Sequence, residues 1–165
     1  MHVLRLLAQH LPSLKSGHDL NARAELMLAA VLCGQGTDHT GAGMTTVLGH
    51  AIGARNHMDN GIANAIVLAH VLRFNGTTGE GGLQKVATAL GLARSDGERL
   101  VTSVAGAVEA LFGRLDVPCR LRDVGIARET LSEIAGHAIG DWFLRGNPRP
   151  VRSEAELLQV LEQAW

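Results

Sequence analysis

Apolar residues recur at helical spacing along nearly the whole chain. Val3, Leu4, Leu6, Leu7, Leu11 and Leu14 mark a first helix, with Pro12 as its kink or stop. Asn21 is placed to cap a second segment, Ala22 to Cys33, whose run of Ala, Leu and Met predicts a helix buried on most sides. The glycines from Gly34 to Gly43 then read as a turn. A third helix is expected from Met44 to Ala54 and a fourth from Ile62 to Leu72, joined by a polar connection from Asn56 to Asn60.

The stretch from Asn75 to Gly82 is too rich in glycine to be regular, and a short helix from Leu83 to Leu90 follows it. Ser95 or Asp96 caps a longer helix through Leu115, which Pro118 closes off. A turn at Val124 and Gly125 precedes a helix from Arg128 to Ile139. Asn147, Pro148, Arg149 and Pro150 hold the backbone extended. Ser153 and Glu156 then have capping-box spacing ahead of the apolar stripe Leu157, Leu158, Val160 and Leu161. No segment alternates with period two, and nothing repeats at solenoid length. The pattern predicts an all-α fold, a multi-helix bundle in one domain over residues 1–165.

Composition narrows the function classes. Fifteen Lys and Arg against sixteen Asp and Glu leave no electrostatic footprint for nucleic acid or an anionic membrane surface. Apolar runs break well before the roughly 18 residues that a membrane span requires, and no signal pattern follows Met1, so a cytoplasmic protein is expected. Cys33 and Cys119 are expected as small buried apolar groups, without a disulfide. The absence of Tyr beside abundant Ala, Gly and Leu suits close helix packing.

Candidate chemistry is sparse. The glycine-rich stretch from Asn75 to Gly82 lacks a preceding strand and a following Lys-Ser or Lys-Thr pair, so it reads as a loop and not as a phosphate cradle. His18, His39 and His57 lie in polar segments where solvent exposure is expected. His50 and His70 lie among apolar neighbours, where a satisfied core histidine is expected. No His pair has the three- or four-residue spacing of a zinc site, and no serine or cysteine has a triad around it.

The arrangement of segments goes further. Residues Gly43 to Ala54 followed by Asp59 to Asn75 closely resemble the central signature of the iron-containing alcohol dehydrogenase family, which includes the maleylacetate reductases and has a dehydroquinate synthase-like α domain. Ala22 and Arg23 with the Ala-rich segment after them, and Asn147 to Pro150 with the last helix, resemble its flanking segments. The resemblance implies the all-helical C-terminal domain of a two-domain enzyme. Its other domain, a Rossmann-like unit binding NAD or NADP, has no counterpart here.

In that family the metal is held by an Asp and a His on an early helix and by two later His. The early pair has no counterpart, and the later two correspond to Thr46 and Asn60. Neutral oxygen donors replace imidazole poorly around a transition metal, so no metal site is expected. His50 matches a family histidine near substrate and nicotinamide, which makes it the candidate catalytic residue, with proton relay as its role. Thr46, His50 and Asn60 are the expected substrate-pocket residues, and His70 matches a structural position. No cofactor is expected on this chain alone, with NAD(P) only in a complex. A domain made to pack on a nucleotide-binding unit would leave apolar surface open, so a protein partner is expected: a nucleotide-binding subunit, or a full-length homologous dehydrogenase that this chain stabilises or regulates.

Overall fold

The computed structural model describes residues 1–17 and 19–165; His18, expected to be exposed, lies outside them. Eight α-helices and four short 3-10 turns are present among the described residues, with no strand. The helices are α1 (His2–His10), α2 (Leu20–Thr40), α3 (Met44–Asn56), α4 (Asn60–Asn75), α5 (Glu80–Ala89), α6 (Gly97–Arg114), α7 (Leu131–Ala138) and α8 (Glu154–Ala164). The all-α expectation is thereby met. Two segments read as single helices prove compound: Pro12 falls in a 3-10 turn, Leu11–Ser16, that ends α1, and a 3-10 turn at Arg128–Thr130 leads into α7.

The main core lies where α3 and α4 cross and α7 and α8 close over them. Met44, Leu48 and Ile52 recur every turn on α3 and are fully buried against Val67 of α4, Leu131 and Ile134 of α7, and Leu157 and Leu161 of α8. A smaller core joins α5 and α6 through Ala87, Leu100 and Val104, with Leu72 of α4 packed beside it. The C-terminus is pinned by the Trp165 indole N–H, which donates to the Ile126 carbonyl at 2.8 Å.

Helix α2 departs from expectation in three ways. Its cap is Asp19, whose carboxylate accepts the Ala22 N–H at 3.0 Å; Asn21 already lies inside the first turn. The helix runs through Gly34 and Gly36 to Thr40, and in its last turns Thr37 and Thr40 return their hydroxyls to the Cys33 and Gly36 carbonyls while the His39 ring reaches the Gln35 carbonyl. It ends at Gly41, whose φ of 72° suits glycine alone. Its burial is also opposite to that expected. Only Ala22 and Ala29 are buried, two turns apart on one narrow side, where α2 packs on α1. Met27 is 72% exposed and Val31 60%. An Ala- and Leu-rich composition permits burial, but burial needs neighbours, and α1 covers one side only.

Both cysteines are exposed, Cys33 on this open helix and Cys119 on the loop after α6, which corrects the expectation of buried thiols. The capping box at α8 is half formed. The Ser153 side chain makes no cap, while the Glu156 carboxylate accepts the Arg152 N–H at 2.7 Å, and that bond holds its pKa below the usual carboxylate range.

Candidate functional site

Thr46 and His50 stand one turn apart on α3 and so share a face. His50 is exposed, not a core histidine, because its apolar neighbours Val47, Leu48 and Ile52 point inward from other sides of the helix. Asn60 is the first residue of α4, directly after Asp59, whose carboxylate accepts the Gly61 and Ile62 N–H groups at 2.7 and 3.2 Å and caps the helix. The polar connection is therefore shorter than expected. His57 is exposed with a φ of 51° at the end of α3, and His39 is exposed on the last turn of α2 and not in a loop.

Two glycines bring α3 and α4 together. A methyl group on Gly53 would lie 2.1 Å from the Asn60 Oδ1, and one on Gly49 would lie 1.9 Å from the Asn64 Oδ1. Only hydrogen at both positions lets the two amides nestle against α3. Asn60 thus rests beside Gly53, three residues beyond His50 in sequence, while Thr46 and His50 share a face of the same helix. The Asn64 Oδ1 is buried there without a hydrogen-bond partner.

The sequence reading missed the aromatic side of this junction. Asp141 accepts the Phe143 N–H at 2.9 Å and fixes the 3-10 turn Trp142–Gly146, which places the Phe143 ring 6.2 Å from the His50 ring. Trp142 stacks on Phe143 at 4.0 Å and is 68% exposed. In a chain with two Trp and three Phe, adjacent aromatics behind an Asx-type turn were a usable signal.

This side of α3 presents the Thr46 hydroxyl and the His50 imidazole, with the Phe143 ring near the imidazole and the Asn60 and Asn64 amides against Gly53 and Gly49. It does not fit iron: no three His, Cys, Asp or Glu side chains converge as a metal-holding group among the described residues, and Thr46 and Asn60 supply only weak neutral oxygens.

The pattern of the Fe-containing alcohol dehydrogenase family, C-terminal part, matches residues 1–165. The chain belongs to that family. It is 33% identical over 151 residues to lactaldehyde reductase of Escherichia coli K12, covering 89% of this chain and 39% of that protein. It is 30% identical over 166 residues to the NADPH-dependent butanol dehydrogenase of Clostridium saccharobutylicum, covering 98% and 42%. The crystal structure of a 1,3-propanediol oxidoreductase superposes with a TM-score of 0.93 at 26% identity, over 99% of this chain and 44% of the other. The family chain thus spans about two-fifths of the length of the relatives it matches. No helix among its described residues is long and apolar enough to cross a membrane.

Proposed function

We propose that this chain is the helical subunit of a split NAD(P)-dependent oxidoreductase acting on small aldehydes or alcohols, with nucleotide binding supplied by a separate polypeptide. The observation that carries this reading is that Thr46 and His50 share one face of α3, with the exposed His50 ring 6.2 Å from that of Phe143, in a chain of this dehydrogenase family. The relatives' names, lactaldehyde reductase and butanol dehydrogenase among them, point to short oxygenated substrates. His50 exchanges a proton with the substrate oxygen, Thr46 and Asn60 orient that oxygen by hydrogen bonds, and the aromatic pair excludes water from one side. A nicotinamide bound by the partner would supply the hydride chemistry.

The test is purification of the tagged chain from its native cells, identification of what travels with it, and assay of NAD(P)H oxidation with short aldehydes. The isolated chain is expected to be inactive and the complex active, with His50→Ala lowering kcat by about a hundredfold or more, as for loss of a general acid. Turnover by the isolated chain overturns the proposal. So does a copurified full-length dehydrogenase whose rate ignores His50→Ala, which establishes an accessory role instead.

A further inference from the structure

A second site lies on the opposite side of α4, away from Thr46, His50 and Asn60. There α4, α6, α8 and the loop after α6 enclose a cavity of about 220 Å³. Its floor is apolar, formed by Ala65, Ile66, Ala69, Phe112 and Pro118, and its polar rim carries His70, Glu109, Cys119, Arg120 and Gln163. His70 and Gln163 also border the neighbouring recess that holds Arg73 and Arg149.

The charges around His70 are unevenly satisfied. Arg73 and Glu109 form a two-pronged ion pair at 2.6 and 2.7 Å, so the carboxylate is already neutralised. Arg149 is occupied by the Phe74 carbonyl at 2.9 Å and by Glu156 at 3.3 Å. No hydrogen bond or ion pair engages the Arg120 guanidinium among the described residues. From α8, Gln159 and Gln163 add only neutral amides. Half-buried His70 is held below its usual pKa mainly by burial and then by Arg73, with Glu109 opposing the shift and Arg120 adding to it.

We propose that this cavity binds a small organic monoanion, with its carboxylate-like head on Arg120 and His70 and its apolar body on Ala65, Ala69 and Phe112. The volume is below the roughly 300 Å³ at which drug-sized pockets begin, which excludes a nucleotide and suits a single ring or short chain. A guanidinium free to pair in two prongs favours a planar carboxylate. The site shares no residue with the proposed substrate junction, and its test needs no partner chain.

Cys119 on the rim reports occupancy, because its thiol is exposed and bonded only to the Val117 carbonyl at 3.7 Å. Cys33, exposed on α2 outside the cavity, is the internal control. Iodoacetamide alkylation of both thiols is followed by mass spectrometry with benzoate, neutral benzamide or inorganic phosphate present at millimolar concentration. Benzoate is expected to slow Cys119 several-fold and leave Cys33 unchanged, with benzamide and phosphate much weaker. Arg120→Gln, a change on an exposed loop residue, should weaken protection at least about tenfold, the factor that one charge-assisted hydrogen bond supplies. No protection by benzoate, equal protection by benzamide or by phosphate, or protection untouched in Arg120→Gln overturns the proposal.

Discussion

The side-chain oxygen of Asn147 accepts the backbone N–H of Met44 at 3.1 Å, joining positions 103 residues apart in sequence. The same carboxamide donates to the Asn75 Oδ1 and to the Arg149 carbonyl, both at 2.7 Å. At 7% exposure, Asn147 is the buried polar residue at which the start of α3, the end of α4 and the lead-in to α8 meet.

Asn147→Ala removes all three bonds and leaves the Met44 N–H without its partner, an expected loss of about 3 kcal/mol in urea unfolding. Asn147→Asp separates the contributions. It keeps an acceptor for Met44 but sets a negative oxygen against the Asn75 Oδ1 and the Arg149 carbonyl, so it should be no more stable than the alanine variant. An aspartate variant as stable as the parent would show that the two donated bonds contribute nothing.

Gly49→Ala sets two effects against each other. Replacing glycine inside a helix gains about 1 kcal/mol of helix propensity. Crowding the Asn64 amide costs about 1–3 kcal/mol, since a methyl group at 1.9 Å from Oδ1 forces that side chain to move. A net loss in thermal unfolding is expected. The double variant Gly49→Ala with Asn64→Ala should recover most of it, because it removes both the clash and the buried oxygen that has no partner. Additive effects of the two changes would refute the contact.

The helices were legible because their apolar positions repeat every three to four residues, and α3 and α4 emerged close to their expected bounds. Exposure was less legible. His50 sits among Val47, Leu48 and Ile52 in sequence, yet steps of about 100° per residue turn those three inward and the histidine out. The cavity at His70 was hidden for a different reason: Glu109 and Arg120 belong to α6 and the loop beyond it, and only tertiary packing brings them to α4. Asn147 lay in a segment read correctly as extended, but backbone restriction says nothing of three side-chain bonds.

His70 predicts a pH dependence of stability. Its folded pKa lies below the ordinary 6.5, mainly through burial, so between the folded value and 6.5 the unfolded chain binds more protons than the folded one. The neutral-His contribution is therefore complete above pH 6.5 and is lost as the pH falls from there toward the folded pKa. Arg73 and Arg120 deepen the effect, and Glu109 opposes it. Unfolding followed from pH 7.5 to 5 should show stability falling with acid, and His70→Gln should reduce that slope. An unchanged slope in the variant would assign the acid sensitivity to other groups.

The open face of α2 separates folding from association. Leu20, Met27 and Val31 follow one another at spacings of seven and four, so they lie along one stripe, and all three are more than half exposed. A stripe of this kind adds nothing to the stability of the chain that carries it, since these side chains meet water in both the folded and unfolded states. Met27→Lys with Val31→Lys should accordingly leave the midpoint of thermal unfolding within the change of about 0.5 kcal/mol typical of surface substitutions. If a nucleotide-binding subunit of the kind proposed above seats on this stripe, the same pair of changes strips it from the purified chain, because two lysines cannot be desolvated against an apolar partner without large cost. Retention of the subunit by the double variant would place the contact elsewhere, and a large fall in the unfolding midpoint would mean that α2 is covered within the chain's own fold.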